Sequence, residues 1–226
     1  MPRLLGFAAL VALVFLALRP LPVLGHPLVG TWVAVLLVGW GLQRFSYPAL
    51  KSRRVAGEVR ELEGVASPHN RGKIGSVYLA HHRPRAALPH LQAAAEGEPE
   101  TTEWHYRLGC ALASLRRYEE AEAALRVVQE QDEEYAYGAA LLRLIEVVRR
   151  RGSPEEALAL LDRFERNHGE TPESTFRRGQ ALKALGRRDE ARERFAHVAE
   201  LASKAARYQR QEAGGWVIRA FLARLF

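Results

Sequence analysis

The segment 102–135, TEWHYRLGCALASLRRYEEAEAALRVVQEQDEEY, decides the fold of this chain. It contains one of four alanines, Ala87, Ala121, Ala157 and Ala191, which lie 34, 36 and 34 residues apart. A period near 34 predicts a stack of helix pairs, because a single pair cannot bury its apolar face alone. Such a stack offers a surface to another protein rather than a pocket for chemistry.

Small residues recur in each unit of this period. Gly75, Gly109 and Gly179 fall on the first helix of a pair, where a glycine is costly unless another backbone must approach closely. The alanine permits the same approach from the second helix. This pattern resembles the tetratricopeptide repeat (TPR) family, which implies an all-α helical-hairpin solenoid of about four repeats. The repeats are 68–101, 102–135, 138–171 and 172–205.

The third repeat departs from the family pattern. Ile145 replaces the small residue, and two extra residues, Ala136 and Tyr137, precede the repeat. Shifting the register to absorb them would put charged residues at core positions, so we expect the insertion to lie between repeats. Helix starts are predicted at Ser153-Pro154-Glu155-Glu156 and, in weaker form, at Thr171-Pro172-Glu173, each with a hydroxyl residue as the N-cap.

The net charge of +7 lies outside the repeats. Between Pro68 and Ala205 there are 22 Lys/Arg and 22 Asp/Glu, so the other residues carry 33 − 22 = 11 basic and 26 − 22 = 4 acidic side chains. A nucleic-acid binder should place its excess charge on the binding domain. This distribution instead favours contact with anionic lipid and argues against nucleic acid.

Two apolar runs at the N-terminus, Leu4–Leu18 and Leu28–Leu42, are separated by a proline-containing break at 19–22. With their apolar flanks they predict a two-helix transmembrane anchor over 1–47. A single retained span and a cleaved signal peptide are the alternatives. Basic residues after the second run place both ends, and the repeats, on the cytoplasmic side of a bacterial inner membrane. The region 48–67 is a predicted linker with a short helix over 55–62.

Basic and aromatic side chains recur on the first helices, which line the concave face in the TPR family. Arg107, Arg143 and Arg177 occupy equivalent positions, and three such guanidiniums would suit a partner segment that carries carboxylates. The alternative is that these arginines are solvated or paired with nearby glutamates. The candidate protein-binding residues are Tyr106, Arg107, Leu142, Arg143, Glu146, Arg150, Phe176, Arg177, Gln180 and Lys183.

The tail 206–226 predicts an amphipathic helix after a diglycine hinge at Gly214-Gly215. It could cap the last repeat, bind a partner, or lie on the membrane surface. The candidate membrane-surface residues are Trp216, Arg219, Phe221, Leu222, Arg224, Leu225 and Phe226.

No motif for catalysis, metal or cofactor binding stands out. The histidines in and beside the first repeat have no carboxylate or cysteine at the spacing that metal ligands require. Cys110 is expected to be a small, partly buried residue. We therefore expect a non-enzymatic scaffold or adaptor without metal or cofactor, which binds protein partners at the membrane. The alternative function is an accessory subunit of a membrane enzyme or transporter complex, held mainly through the apolar hairpin.

Overall fold

The computed structural model describes residues 47–204 and 210–225, with side chains over 55–204 and 213–224. In those ranges the chain forms ten α-helices and no strand. They are α1 (Tyr47–Glu63), α2 (Pro68–Ala80), α3 (Pro84–Gly97), α4 (Thr102–Ser114), α5 (Tyr118–Gln131), α6 (Ala139–Arg151), α7 (Pro154–His168), α8 (Pro172–Ala184), α9 (Arg188–Lys204) and α10 (Arg210–Leu225). The predicted all-α solenoid is confirmed.

The chain divides after Glu61, and the second unit, Leu62–Phe226, contains the helix array. α1 lies almost wholly in the first unit and has 17 residues, so the prediction of a short helix within a linker is wrong in its length. Pro48 lies in the first turn of α1, where its missing N–H costs nothing. The predicted membrane anchor precedes the described residues, among which no helix has the length and apolarity to cross a bilayer.

The eight helices from α2 to α9 form four hairpins, each packed on the next. Small residues allow the two helices of a hairpin to meet closely. A Cβ atom added to Gly109 would lie 2.7 Å from Cγ of Leu125, and one added to Gly179 would lie 2.6 Å from the ring of Phe195. The four repeated alanines are buried on the second helices. The spacing of small residues therefore sets the contact between paired helices.

The third hairpin accommodates its larger residue in the core. Ile145 is fully buried in a cluster that includes Leu161 and Phe164. The inserted Ala136 and Tyr137 have φ angles of 53° and 55° and precede Gly138 in the turn between α5 and α6. The insertion thus lies between two hairpins, as predicted.

The two predicted N-caps differ from expectation. Thr171 forms a full capping box, in which its hydroxyl accepts from the Ser174 N–H and the Ser174 hydroxyl accepts from the Thr171 N–H. Ser153 is the N-cap of α7 but makes no capping hydrogen bond with its side chain. Its hydroxyl instead accepts from Arg151, at 3.0 Å. The stronger cap is therefore the one that looked weaker in the sequence.

The C-terminal helix α10 packs against α9 and α8. Ala220 is buried with Phe176, Phe195 and Val198, and Trp216 packs against the same cluster. Gly214 and Gly215 lie inside the helix, so the predicted diglycine hinge is wrong. α10 thus covers apolar surface of the fourth hairpin.

Candidate protein-binding groove

The first helices α4, α6 and α8, together with α10, line a groove. Three depressions between these elements have volumes of about 310, 300 and 460 Å³, and Arg143 lines all three. The largest is lined by Arg143, Glu146, Arg150, Phe176, Arg177, Gln180, Trp216, Arg219, Leu222 and Ala223. Of the ten candidate binding residues, only Arg107 and Lys183 lie outside these three depressions. The structure therefore brings together most of the predicted surface.

Arg177 is a structural residue of this groove. Its side chain is buried, with 9% of the residue exposed, and it pairs with Glu173 at 2.6 Å and with Glu146 at 3.1 Å. Because Glu146 is on α6 and Arg177 on α8, the second pair joins two successive hairpins. The alternative interpretation, that the groove arginines are paired with glutamates, is correct for Arg177.

Arg107 has the same kind of partner. Its guanidinium pairs with Glu103, one turn earlier on α4, at 2.7 Å. Both side chains are partly exposed, so this pair contributes only about 0.3–0.5 kcal/mol to stability. A partner carboxylate would have to compete with an existing one at this position.

Glu146 holds a network of arginines at the centre of the groove. Burial raises the pKa of this carboxyl, but the charge of Arg149 and Arg177 and the hydrogen bonds from Arg150 and Arg149 outweigh burial, so its pKa is lowered. The three guanidiniums lie between 2.8 and 3.1 Å from its oxygens. Glu146 is therefore ionised at neutral pH and is not free to act as a base.

Stability should depend on pH through this carboxylate. Because the folded pKa of Glu146 lies below its ordinary value of 4.5, its contribution is present above that value and is lost as the pH falls through the folded pKa. We expect Glu146→Gln to lower the free energy of unfolding by about 1–3 kcal/mol at neutral pH.

Denaturant unfolding at several pH values checks this expectation. The difference between the native chain and the Glu146→Gln variant should shrink on acidification below the ordinary carboxyl pKa. A difference that stays constant or grows in acid would show that Glu146 does not hold the network as an anion.

Arg143 is the exception among the three equivalent arginines. Its Nε is buried without a hydrogen-bond partner, and no carboxylate of the described residues lies within 4.0 Å of its guanidinium. A buried donor without a partner is destabilising, and native structures rarely leave one unsatisfied. Arg143 as a whole is partly exposed and lines all three depressions, so an acceptor from outside the chain would approach its terminal nitrogens and not the buried Nε.

Tyr106 lies beside Arg143 in the depression of about 310 Å³. Burial, together with the neighbouring Cys110 thiol, raises the pKa of Tyr106 to about 12. Its ring lies 5.4 Å from that of Tyr135. Tyr106 thus stays a neutral phenol that can donate or accept a hydrogen bond near Arg143.

Trp216 forms an aromatic end to the groove. Its ring lies 5.5 Å from that of Phe176, with Arg177 at 5.8 Å and Arg219 at 4.5 Å from its centroid. Guanidinium groups over an indole face are held by cation–π attraction. Trp216 therefore lies at one end of the groove, and its contact with a membrane surface stays a prediction. Side chains of the predicted surface residues Leu225 and Phe226 lie outside the described set.

The described residues hold no group of three potential metal ligands. His69 lies edge-on to Trp104, and His105 contacts the carbonyl of Pro99 at 2.9 Å. Cys110 is half-buried beside Tyr106. These side chains are each accounted for by local contacts.

The sequence interpretation missed Glu103 and Glu173, which decide how two of the groove arginines are used. Both stand four residues before the arginine they bind, the spacing at which opposite charges meet on a helix. No glutamate or aspartate stands four residues before Arg143, since that position is Ala139. This difference in spacing could have identified Arg143 in advance.

Comparison with known proteins gives a consistent result. A tetratricopeptide repeat model matches residues 73–136, and a tetratricopeptide repeat-like domain model matches residues 110–212. No curated protein sequence matches the chain.

Solved structures are similar in fold. A crystal structure of MamA protein is 21% identical, covers 75% of this chain and 97% of its own, and has a TM-score of 0.61. Residues 41 to the end of MamA from Desulfovibrio magneticus RS-1 are 18% identical, with coverage of 70% and 94% and a TM-score of 0.54. A putative kinesin light chain of Podosopora anserina with TPR-like repeats is 16% identical, with coverage of 72% and 91% and a TM-score of 0.59. At these identities the likeness concerns the fold alone.

Proposed function

The chain belongs to the tetratricopeptide repeat family, and on that premise we propose that it is a non-catalytic, membrane-anchored scaffold that holds an acidic segment of a partner protein in its groove. The fold supports protein–protein interaction in general. The observation that carries the specific proposal is the unpaired Arg143 at the junction of the three depressions.

Arg143 supplies the specificity of this binding mode. A carboxylate of the partner would accept from the two terminal nitrogens of Arg143, in a bidentate geometry that arginine favours. The partner would thereby supply an ion pair to the one of the three equivalent arginines that has none among the described residues. Such charge-assisted bonds are worth about 1.5–3 kcal/mol each.

The neighbouring groove residues favour an apolar side chain next to the carboxylate. Phe176, Trp216 and Leu222 line the largest depression together with the uncharged Gln180. Aromatic and aliphatic surface beside a guanidinium is typical of interface hot spots. The proposed ligand is therefore an acidic segment with an aromatic or aliphatic residue close to its carboxylate.

The membrane placement in this proposal rests on the sequence of residues 1–47. Two apolar runs flanked by basic residues support a helical hairpin in the bacterial inner membrane, with the repeats on its cytoplasmic side. The scaffold would then bring its partner to that surface.

Partner capture by the full chain tests the function. We expect Arg143→Glu to lower the amount of captured partner at least about tenfold, since it replaces an attraction by a repulsion in a desolvated site. Arg143→Gln should give an intermediate loss. Arg166→Glu is the matched control, because Arg166 is exposed on the second helix α7.

Circular dichroism of the three variants establishes that each retains its helices. If Arg143→Glu and Arg166→Glu capture equal amounts of partner, the hypothesis that the groove binds the partner is refuted. If capture instead disappears only when residues 1–47 are replaced by an unrelated membrane anchor, the protein acts as an accessory subunit held through its apolar segments.

A further inference from the structure

The outer face of α10 exposes three large apolar side chains. Ile218, Phe221 and Leu222 are 64%, 60% and 49% exposed, whereas Ala213 and Ala220 of the same helix are buried against the array. The side of α10 that faces the array thus consists of the two alanines with Trp216 and Val217, while three further large apolar residues face outward. A helix whose only task is to cap the fourth hairpin does not need this second apolar face.

The exposed apolar residues form one continuous sector. At about 100° per residue, Ile218, Phe221 and Leu222 cover an arc of about 100° around the helix. Arg219 borders one edge of this arc and Arg224 borders the other. No acidic residue occurs between Ala213 and Arg224.

The basic border continues onto the fourth hairpin. Arg224 lines a depression of about 180 Å³ with Lys183, Arg188 and Arg192, and no acidic residue lines it. Arg192 pairs with Asp189 at 3.2 Å, but both side chains are highly exposed, so water and salt screen this pair. The surface next to the apolar sector thus carries a cationic patch.

We propose that this face of α10 lies in the interfacial zone of an anionic phospholipid membrane. Ile218, Phe221 and Leu222 enter the boundary between headgroups and acyl chains, and Arg224 extends its apolar stem to place its guanidinium among the phosphates. Arg219 does the same after its guanidinium leaves the face of Trp216. An apolar sector bordered by arginines on both sides complements a surface that is apolar below and anionic above. A protein partner would need carboxylates along both borders of the same ridge.

This inference is independent of the N-terminal anchor, but it bears on the groove. Arg219 and Leu222 also line the largest depression, which contains Arg143. If α10 rests on lipid, that end of the groove lies at the membrane surface. A partner segment bound there would itself have to be close to the bilayer.

A local fluorescence measurement on the full chain tests the proposal. The native thiol is removed by Cys110→Ser, and a single cysteine introduced by Phe221→Cys is labelled with an environment-sensitive fluorophore. With vesicles of phosphatidylcholine and phosphatidylglycerol that carry brominated acyl chains, we expect a blue shift and a loss of emission. Arg219→Gln together with Arg224→Gln, or omission of phosphatidylglycerol, should reduce both effects.

The same fluorophore after Tyr137→Cys is the control, because Tyr137 is 94% exposed in the turn between α5 and α6. Its emission should change little on adding these vesicles. If brominated lipid does not quench the emission at position 221, the proposal is overturned. This holds even if the emission shifts to the blue, because contact with protein could cause that shift. Equal quenching at both positions would overturn it too, since it would indicate general adsorption.

Discussion

Replacing Ala121 by arginine is expected to unfold most of the repeat array. Ala121 is fully buried on α5, and its carbonyl oxygen lies 3.3 Å from the position of a Cβ on Gly109. An arginine there must either leave its charge unpaired in the core or push α4 and α5 apart. Either outcome costs about 4 kcal/mol or more, a large part of the 5–15 kcal/mol that holds a typical domain together.

The matched control stands two residues away. Ala123 lies on the same helix but is exposed, so Ala123→Arg makes the same chemical change without burial. Thermal melts followed by circular dichroism should show a cooperative transition for Ala123→Arg close to that of the native chain. A similar melting temperature for Ala121→Arg would refute the register that places the repeated alanines between paired helices.

Adding a single methyl group to the chain should have opposite effects at two glycines. We expect Gly109→Ala to destabilise the array by about 1–3 kcal/mol, because the new Cβ would lie 2.7 Å from Cγ of Leu125, which is fully buried. The helix propensity of alanine offsets only part of this cost. Urea unfolding curves of the native chain and the variant, fitted for both midpoint and slope, give the difference in the free energy of unfolding.

Gly215→Ala is the counterpart on α10. No atom lies within 4 Å of the position of a Cβ on Gly215, and the residue is inside a helix. Here alanine should raise stability by about 0.5–1 kcal/mol. If both substitutions stabilise the chain, then the close approach of α4 and α5 is not a constraint on position 109.

The repeat array could be predicted because the small residues that allow it to pack recur at a regular spacing in the sequence. Helices that nest need small residues at fixed places, and Gly75, Gly109 and Gly179 mark those places on the first helices. Ile145 shows the limit of this reasoning. It breaks the rule of small residues and is nevertheless fully buried, since the core around it includes Leu161 and Phe164.

The use of each groove arginine could not be predicted from the repeat alone. Equivalent positions in successive repeats suggested three similar guanidiniums. Whether each guanidinium forms an ion pair is decided by the residue one turn earlier on the same helix, and the repeat pattern does not specify that residue. Glu103 and Glu173 occupy that place for two of them, and Ala139 occupies it for Arg143. The bond between Glu146 and Arg177 joins residues 31 apart and depends on how two hairpins meet.

The orientation of α10 was also beyond the sequence pattern. An amphipathic wheel identifies an apolar arc and favours burial of its largest side chains. The structure instead packs Ala213, Ala220 and Trp216 against the array and leaves three other large apolar residues of α10 exposed. Two consecutive glycines, Gly214 and Gly215, predict a hinge, but in the structure the helix continues through both.

Photo-crosslinking from inside the groove tests whether the groove holds a partner protein through Arg143. A photoreactive residue in place of Gln180, in the full chain and in its native membrane, should give a specific protein adduct, because Gln180 lines the largest depression beside Phe176 and Trp216. The same residue in place of Ala123, on the exposed side of α5, should not give it. We expect Arg143→Glu to abolish the Gln180 adduct. An adduct that forms equally well without Arg143, or equally well from Ala123, would contradict this expectation.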